Sequence, residues 1–160
     1  MAIPMPEQSP RPIADLRDWL ERVAANGDLH VVTGADWNLE IGVINEIWGC
    51  DAQALLFDEI PGFPKGYRVV TNALNAPQRI ALSVGLPPIE SKLELVRALR
   101  EKFREVPLIP PRFVSDGPIL ENVLTGDDID LLKFPTPFYH ELDGGRFIGT
   151  ACLSTTVDPE

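Results

Sequence analysis

Apolar side chains recur every three or four residues in four stretches of the chain, which is the spacing of amphipathic helices. The first three stretches cover residues 13–24, 41–48 and 77–84. Asp36 or Asn38 is the candidate N-cap of the second, because a short polar side chain there can accept an otherwise unpaired amide hydrogen. The pattern therefore predicts three helices in the first half of the chain.

The fourth helix, predicted over residues 91–105, has the clearest start signal. Ser91 and Glu94 fit a capping box, in which each side chain accepts a hydrogen bond from an amide of the first turn. Four large apolar residues at helical spacing are predicted to form its buried stripe: Leu93, Val96, Leu99 and Phe103.

Short apolar or β-branched runs predict strands at Leu29–Val32, Ala54–Phe57 and Tyr67–Thr71. Along the chain the order is helix, strand, helix, strand, strand, helix, helix. This mixed order predicts the α+β class, with a small mixed α/β layer at the N-terminal end.

Proline changes the pattern after Val106, because six prolines fall between Pro107 and Pro137. Proline lacks an amide donor and fixes φ, so this stretch cannot form a long helix or a central strand. The pattern divides the chain into four parts: a loose tail at 1–12, the α/β layer at 13–106, a proline-rich connector at 107–137 and a last segment at 138–160.

The last segment predicts a turn at Asp143–Gly145 and one long strand from Arg146 to Val157. Core-type side chains alternate there with small polar ones, among them Thr150 and Cys152. A long strand without a partner would expose a row of unpaired backbone groups. We therefore expect the missing strands to come from a longer polypeptide or from a second chain.

Composition excludes several classes of function. The chain has 160 residues and a formal net charge of −10, which disfavours nucleic acid and anionic membranes as partners. No apolar run approaches the ~20 residues of a membrane helix. Cys50 and Cys152 fit neither a disulfide framework nor a zinc spacing, so a reducing cytoplasm is expected.

Candidate reactive residues do not form a recognisable site. His140-Glu141 lacks the second histidine of a zinc-protease helix, because position 144 is glycine, and His30 lies in a predicted strand. The acidic pairs Asp58-Glu59 and Asp127-Asp128 are more typical of turns and helix starts than of acid–base catalysis. The residues alone therefore assign no catalytic residue and no metal ligand.

Several motifs resemble, in their order and spacing, the UbiD family of decarboxylases. The resemblance covers nearly the whole chain. It rests on these segments: Asp15–Leu20, Asn26–Leu29, Ala54–Phe57, Gly117–Val123, Gly126–Leu131, Phe134–Pro137, His140–Thr150 and Asp158–Glu160.

The resemblance implies a cofactor and a reaction. In that family prenylated FMN carries out reversible, non-oxidative decarboxylation of aromatic or α,β-unsaturated acids, while the protein supplies orientation and electrostatics. The flavin lies in a split β-barrel, and its phosphate is held by K+ and by one divalent metal ion, which is Mn2+. The implied fold is therefore the α/β layer followed by the first strands of this flavin-binding barrel, with residues 138–160 as its incomplete start.

Only one site residue is carried over from the family. Thr150 matches a threonine that lies close to the flavin, whereas the family's asparagine-arginine motif, metal ligands and catalytic residues would follow Glu160. The 160-residue chain is thus expected to bind no cofactor and to be inactive alone. The whole enzyme is expected to act on a small carboxylic acid, without nucleic acid or membrane, and to form a homo-oligomer.

Two alternatives stay open from the sequence. The chain could be a non-catalytic binding or assembly module that keeps the α/β layer as a docking surface. It could also be one chain of a split decarboxylase whose barrel is completed by another polypeptide.

Overall fold

The structure is a computed structural model, and it describes residues 11–49, 53–107 and 109–148. Its regular elements are, in chain order, α1 (Leu16–Ala25), β1 (Leu29–Thr33), α2 (Glu40–Trp48), β2 (Ala54–Asp58), β3 (Val69–Thr71), α3 (Pro77–Ser83) and α4 (Lys92–Glu105). They follow the predicted order and lie within a few residues of the predicted bounds. The predicted mixed α/β layer is thereby confirmed.

The three strands form one sheet in the order β1-β2-β3. β1 runs parallel to β2, with Leu29 opposite Ala54, and β3 runs antiparallel to β2. Parallel neighbours need a crossover, which α2 supplies between β1 and β2.

Helices cover both faces of the central strand β2, which explains its continuous apolar run. Ala54 and Leu56 pack against a cluster on α1: Trp19, Leu20 and Val23. Leu55 and Phe57 point to the opposite face and pack with Ile41 of α2 and with two flanking residues, Ala35 and Ile60.

The prediction of which residues of α4 are buried is mostly wrong. Leu95 is buried and Leu99 is half-buried; both pack in a cluster with Ala81, Leu86 and Ile89. Three of the four predicted positions are exposed: Leu93 at 61%, Val96 at 61% and Phe103 at 64%. The reason is that α4 packs on α3 and the turn after it through Leu95, Ala98 and Leu99, so only the Leu99 edge of the predicted stripe faces inward.

The predicted N-cap of α2 is also wrong. The cap position is Leu39, which has a positive φ of 69° and makes no side-chain cap bond. Asp36 instead accepts the Asn38 amide hydrogen at 2.7 Å, while Glu40 accepts the Asp36 amide hydrogen at 2.7 Å. These bonds stabilise the tight turn before the helix rather than the helix start.

The segment from 106 to 148 contains short 3-10 turns at Pro118–Leu120, Gly126–Asp128 and Leu131–Lys133. Residues 146–148, the start of the predicted strand, are irregular, because no strand among the described residues pairs with them. The rest of that prediction, 149–157, lies outside the described residues. Within the described ranges no helix is both long and apolar enough to cross a membrane.

Candidate functional site

The turn before α2 is hydrogen-bonded to residues far along the chain. The Leu39 amide donates to the Phe138 carbonyl oxygen at 2.8 Å, and the Phe138 amide donates to the Trp37 carbonyl oxygen at 2.9 Å. These bonds form an isolated parallel bridge between Asn38 and Phe138. We call the contact between residues 37–46 and residues 134–146 the junction.

Gly42 allows the two backbones of the junction to approach closely. It is buried on α2, and a Cβ added to it would overlap the carbonyl group of Tyr139. The Tyr139 ring packs beside the cluster that contains Phe57, and burial raises the pKa of its phenol. Tyr139 is therefore neutral at pH 7 and acts as an anchor.

His140 forms an exposed ion pair across the junction. Its Nε2 lies 2.7 Å from Oε1 of Glu46 on α2, and its Nδ1 lies 3.5 Å from Oδ2 of Asp143. Hydrogen bonding to Glu46 raises the pKa of His140 against the opposing effect of desolvation, and Asp143 adds to the rise. Each ring nitrogen thus has its own carboxylate neighbour, Glu46 at Nε2 and Asp143 at Nδ1. These contacts fix the orientation of the imidazole, which is a structural role.

Arg146 closes the other end of the junction. Its Nε–H donates to the Thr136 carbonyl oxygen at 2.7 Å, and a terminal N–H donates to the Phe134 carbonyl oxygen at 2.6 Å. The guanidinium carbon lies 4.3 Å from the centroid of the Trp37 ring and 5.7 Å from that of Phe63. A cation over aromatic faces is attracted by the ring quadrupole, so Arg146 ties its own segment to the α/β layer.

A second feature is a cleft of about 590 Å³ beside the end of α1, lined by residues that include Asp28, Gln53, Gln78 and Arg79. Its volume is in the range of small-molecule sites. Arg79, however, is only 2% exposed; it donates to both oxygens of Asp28 at 2.8 Å and to the Asn72 carbonyl oxygen at 3.1 Å. These bonds link the start of β1, the end of β3 and α3, which is a structural arrangement.

The predicted candidates are dispersed. His30 is exposed on β1 and stacks on Trp48, with ring centroids 4.5 Å apart. Asp58 accepts the Glu59 amide hydrogen at 2.8 Å, and Asp127-Asp128 lie exposed in a 3-10 turn. Thr150 lies outside the described residues. Within those residues no three His, Cys, Asp or Glu side chains are grouped to hold a metal ion.

Sequence reasoning missed the charged pairs that organise the structure. Asp28 and Arg79 are 51 residues apart, and Glu46 and His140 are 94 residues apart. No local motif marks such pairs. The one local signal for the buried role of Arg79 is its position within the short apolar stretch of α3.

Two domain models of one family match the chain in succession. The N-terminal domain of 3-octaprenyl-4-hydroxybenzoate carboxy-lyase matches residues 20–99, and the Rift-related domain of the same enzyme matches residues 112–160. The junction therefore joins the two matched parts: Trp37, Gly42 and Glu46 belong to the first, and residues 134–146 belong to the second.

Proteins with similar sequences are decarboxylases. Pyrrole-2-carboxylic acid decarboxylase from Pseudomonas aeruginosa is 39% identical over 94% of this chain and 32% of its own length. Ferulic acid decarboxylase 1 from Candida dubliniensis is 30% identical over 93% of this chain and 32% of its own length. The chain thus spans about a third of the curated relatives it matches.

Solved structures agree in fold. Vanillic acid decarboxylase from Sedimentibacter hydroxybenzoicus, in an open form, is 31% identical with a TM-score of 0.67, over 82% of this chain and 29% of that one. The UbiD-class enzyme HmfF from Pelotomaculum thermopropionicum, in complex with FMN, is 29% identical with a TM-score of 0.62, over 82% of this chain and 28% of that one. From the matches to both domain models and from these relatives, we conclude that the chain belongs to the UbiD family.

Proposed function

We propose that the whole protein containing this chain is a carboxy-lyase that removes CO2 from a small aromatic or α,β-unsaturated carboxylic acid and uses prenylated FMN. The observation that carries the proposal is the match to both UbiD domain models, in order, over residues 20–99 and 112–160. Substrate acids named for the relatives are pyrrole-2-carboxylic, ferulic and vanillic acid. Each has its carboxyl group on an aromatic ring or a conjugated double bond.

A flavin cofactor is supported by structures of HmfF, one in complex with FMN and an evolved dimeric form in complex with prenylated FMN. The described residues of this chain do not fit such a group. They contain no metal-binding cluster, and the buried cation Arg79 is already bonded to Asp28 and Asn72. We therefore assign no chemical step to them.

The described residues have a different task in this proposal. The first matched part supplies a packed platform, and the junction fixes the second matched part on it through Gly42, His140 and Arg146. Orientation of a cofactor domain by a rigid neighbour is a contribution that the protein makes in cofactor enzymes. The finer features implied by the resemblance belong to the same proposal.

Those features concern the organisation of the whole enzyme. We propose that residues 138–160 begin a split β-barrel, after a loose tail at 1–12, a layer at 13–106 and a connector at 107–137. Thr150 would lie near the flavin, and Mn2+ and K+ would bind beyond this chain. The whole enzyme would be a cytoplasmic homo-oligomer.

A direct assay separates the whole enzyme from the chain. The 160-residue chain, supplied with prenylated FMN and Mn2+, should release no CO2 from pyrrole-2-carboxylate, ferulate or vanillate, because it lacks the family's catalytic motifs. A polypeptide extended through the downstream reading frame to the relatives' length should release CO2 from at least one acid of a wider aromatic and α,β-unsaturated panel. The extended polypeptide without flavin is the control.

Other outcomes would contradict the proposal. Turnover by the 160-residue chain alone would show that its residues suffice for the chemistry. A folded extended polypeptide that retains no flavin absorbance after desalting would support the non-catalytic module. A stop codon after Glu160, together with co-purification of a flavin-bearing polypeptide, would support the split enzyme.

A further inference from the structure

The outer face of α4 combines exposed apolar side chains with positive charge. At 100° per residue, Leu93 lies nearly opposite Leu95, which is buried against the cluster that includes Ala81. Val96 and Phe103 lie about a quarter turn from Leu95, between the packed face and Leu93. The three are between 61% and 64% exposed. Isolated exposed apolar residues are ordinary, but a row of them along one helix face marks a contact surface.

Basic residues share this face. Arg97, Arg100 and Arg104 are exposed and lie within about 40° of Leu93 around the helix. Arg104 is paired with Glu101 at 3.2 Å, which leaves Arg97 and Arg100 as the main source of positive charge. The acidic residues Glu94 and Glu101 lie on one flank. A local positive face on a protein with a net charge of −10 favours an acidic partner with an apolar centre.

The chain itself presents such a surface between residues 116 and 132. This stretch contains no Lys or Arg. Its acidic residues are exposed and are Asp116, Glu121, Asp127, Asp128 and Asp130. Its exposed apolar residues are Leu120, Val123, Leu124, Ile129, Leu131 and Leu132.

Both surfaces are exposed in the same copy, so they do not cover each other within one molecule of this structure. We propose that the outer face of α4 binds the 116–132 segment of a second copy of this chain. Apolar contacts at Leu93, Val96 and Phe103 supply the affinity, while the arginines and aspartates set the register and exclude like-charged surfaces. The proposal does not depend on the decarboxylase activity.

Charge reversal tests the proposal on the 160-residue chain. Sedimentation velocity over a range of concentrations should show self-association that weakens as salt is raised, because exposed charges are screened. The variants R97E/R100E and D127K/D128K should each weaken self-association at least ~10-fold, since each places like charges opposite one another. All four side chains are exposed, so the fold should tolerate both variants.

The decisive sample is the 1:1 mixture of these two variants. In it an acidic α4 face meets a basic 116–132 segment, so the mixture should associate where each variant alone does not. Two control variants change the net charge by the same amounts at exposed positions elsewhere: R17E/K65E and E21K/E59K. Both controls should associate like the parent chain.

Several results would overturn the proposal. One is a parent chain that stays monomeric at every concentration. Another is a mixture that fails to associate although both variants are folded by circular dichroism. A third is a monomeric parent chain that sediments with phosphatidylserine vesicles through Arg97 and Arg100, which would identify a membrane as the partner of α4. A fourth is a control variant that loses self-association as the R97E/R100E variant does, because the loss would then follow from net charge alone.

Discussion

The layer formed by residues 11–105 and the segment 106–148 are both rich in large apolar residues, but only the layer buries them. Phe57 on β2 is fully buried in the cluster that includes Ile41 of α2, whereas Phe113 in the segment is 95% exposed. The layer has periodic elements that stack around a shared core. The segment has prolines and single 3-10 turns, so its apolar residues must find partners outside it.

Because the segment lacks a core of its own, its position depends on its contacts with the layer. These contacts include those of the junction: the Phe138 bridge, the close approach at Gly42, the His140–Glu46 pair and Arg146 on Trp37. Two ring contacts lie beside the junction, Arg146 with Phe63 and Phe134 with Tyr67. Core substitutions should therefore affect the whole chain. Junction substitutions should affect only the attachment of the segment.

The sharpest test of the contrast compares two phenylalanines. Phe57→Ala should lower the free energy of unfolding by about 3–5 kcal/mol, because it leaves a cavity in a close-packed core. Phe113→Ala should change it by less than ~0.5 kcal/mol, because that ring is exposed. Urea unfolding followed by far-UV circular dichroism measures both. Equal losses would refute the division into a packed layer and an unpacked segment.

The ion pair of the buried Arg79 should be nearly as sensitive. Arg79→Met removes the bonds to Asp28 and Asn72 and should cost about 2–3 kcal/mol, since the half-buried Asp28 carboxylate and the Asn72 carbonyl oxygen lose their donor. Arg17→Met, at an exposed position of α1, is the matched control and should be neutral within ~0.5 kcal/mol. If Arg79→Met and the parent chain unfolded at the same midpoint concentration of urea, the ion pair would contribute nothing to stability.

A smaller effect is expected at the junction. Gly42→Ala forces a methyl group against the Tyr139 carbonyl and should cost about 1–3 kcal/mol through overpacking. Gly117→Ala is the control, because a Cβ there meets no atom within 4 Å. Limited proteolysis within 134–148 should become faster in Gly42→Ala alone. If both variants were cleaved within 134–148 at the same rate, the close contact at Gly42 would accommodate the methyl group without loosening the segment.

The smallest expected effect is a dependence on pH at the same junction. The pKa of His140 is raised in the folded state by Glu46, so the protonated, paired form is favoured on folding. The pair therefore contributes fully below the unfolded pKa of about 6.5. That contribution is lost as the pH rises through the higher folded pKa.

Two measurements check this dependence. NMR titration should give a lower His140 pKa in Glu46→Gln than in the parent chain. Amide exchange at Leu39 and Phe138, corrected for its intrinsic pH dependence, should be slower at pH 6 than at pH 8. Glu40→Gln is the control, because Glu40 contacts the Asp36 amide rather than the imidazole. An unchanged His140 pKa in Glu46→Gln would exclude the pair as the cause.

Several elements were predictable because their signals are local. The Ser91 cap is one: its Oγ accepts the Glu94 amide hydrogen at 3.4 Å, as the capping box predicts. The apolar run of β2 likewise indicated a strand. The N-cap of α2 was not predictable, because Leu39 takes its positive φ in a turn whose backbone bonds run to Phe138, far along the chain.

The sequence by itself determined the order of helices and strands and the start of the proline-rich segment, because these depend on residues close together in the chain. It also determined the resemblance to the UbiD family, because the order and spacing of motifs are read along the chain without any contact between them. The tertiary structure decided which face of α4 is buried, where Arg79 finds its counterion and how Gly42, His140 and Arg146 join the two matched parts. Those outcomes depend on packing between residues many positions apart, and apolar periodicity shows that a face can be buried without showing what will cover it.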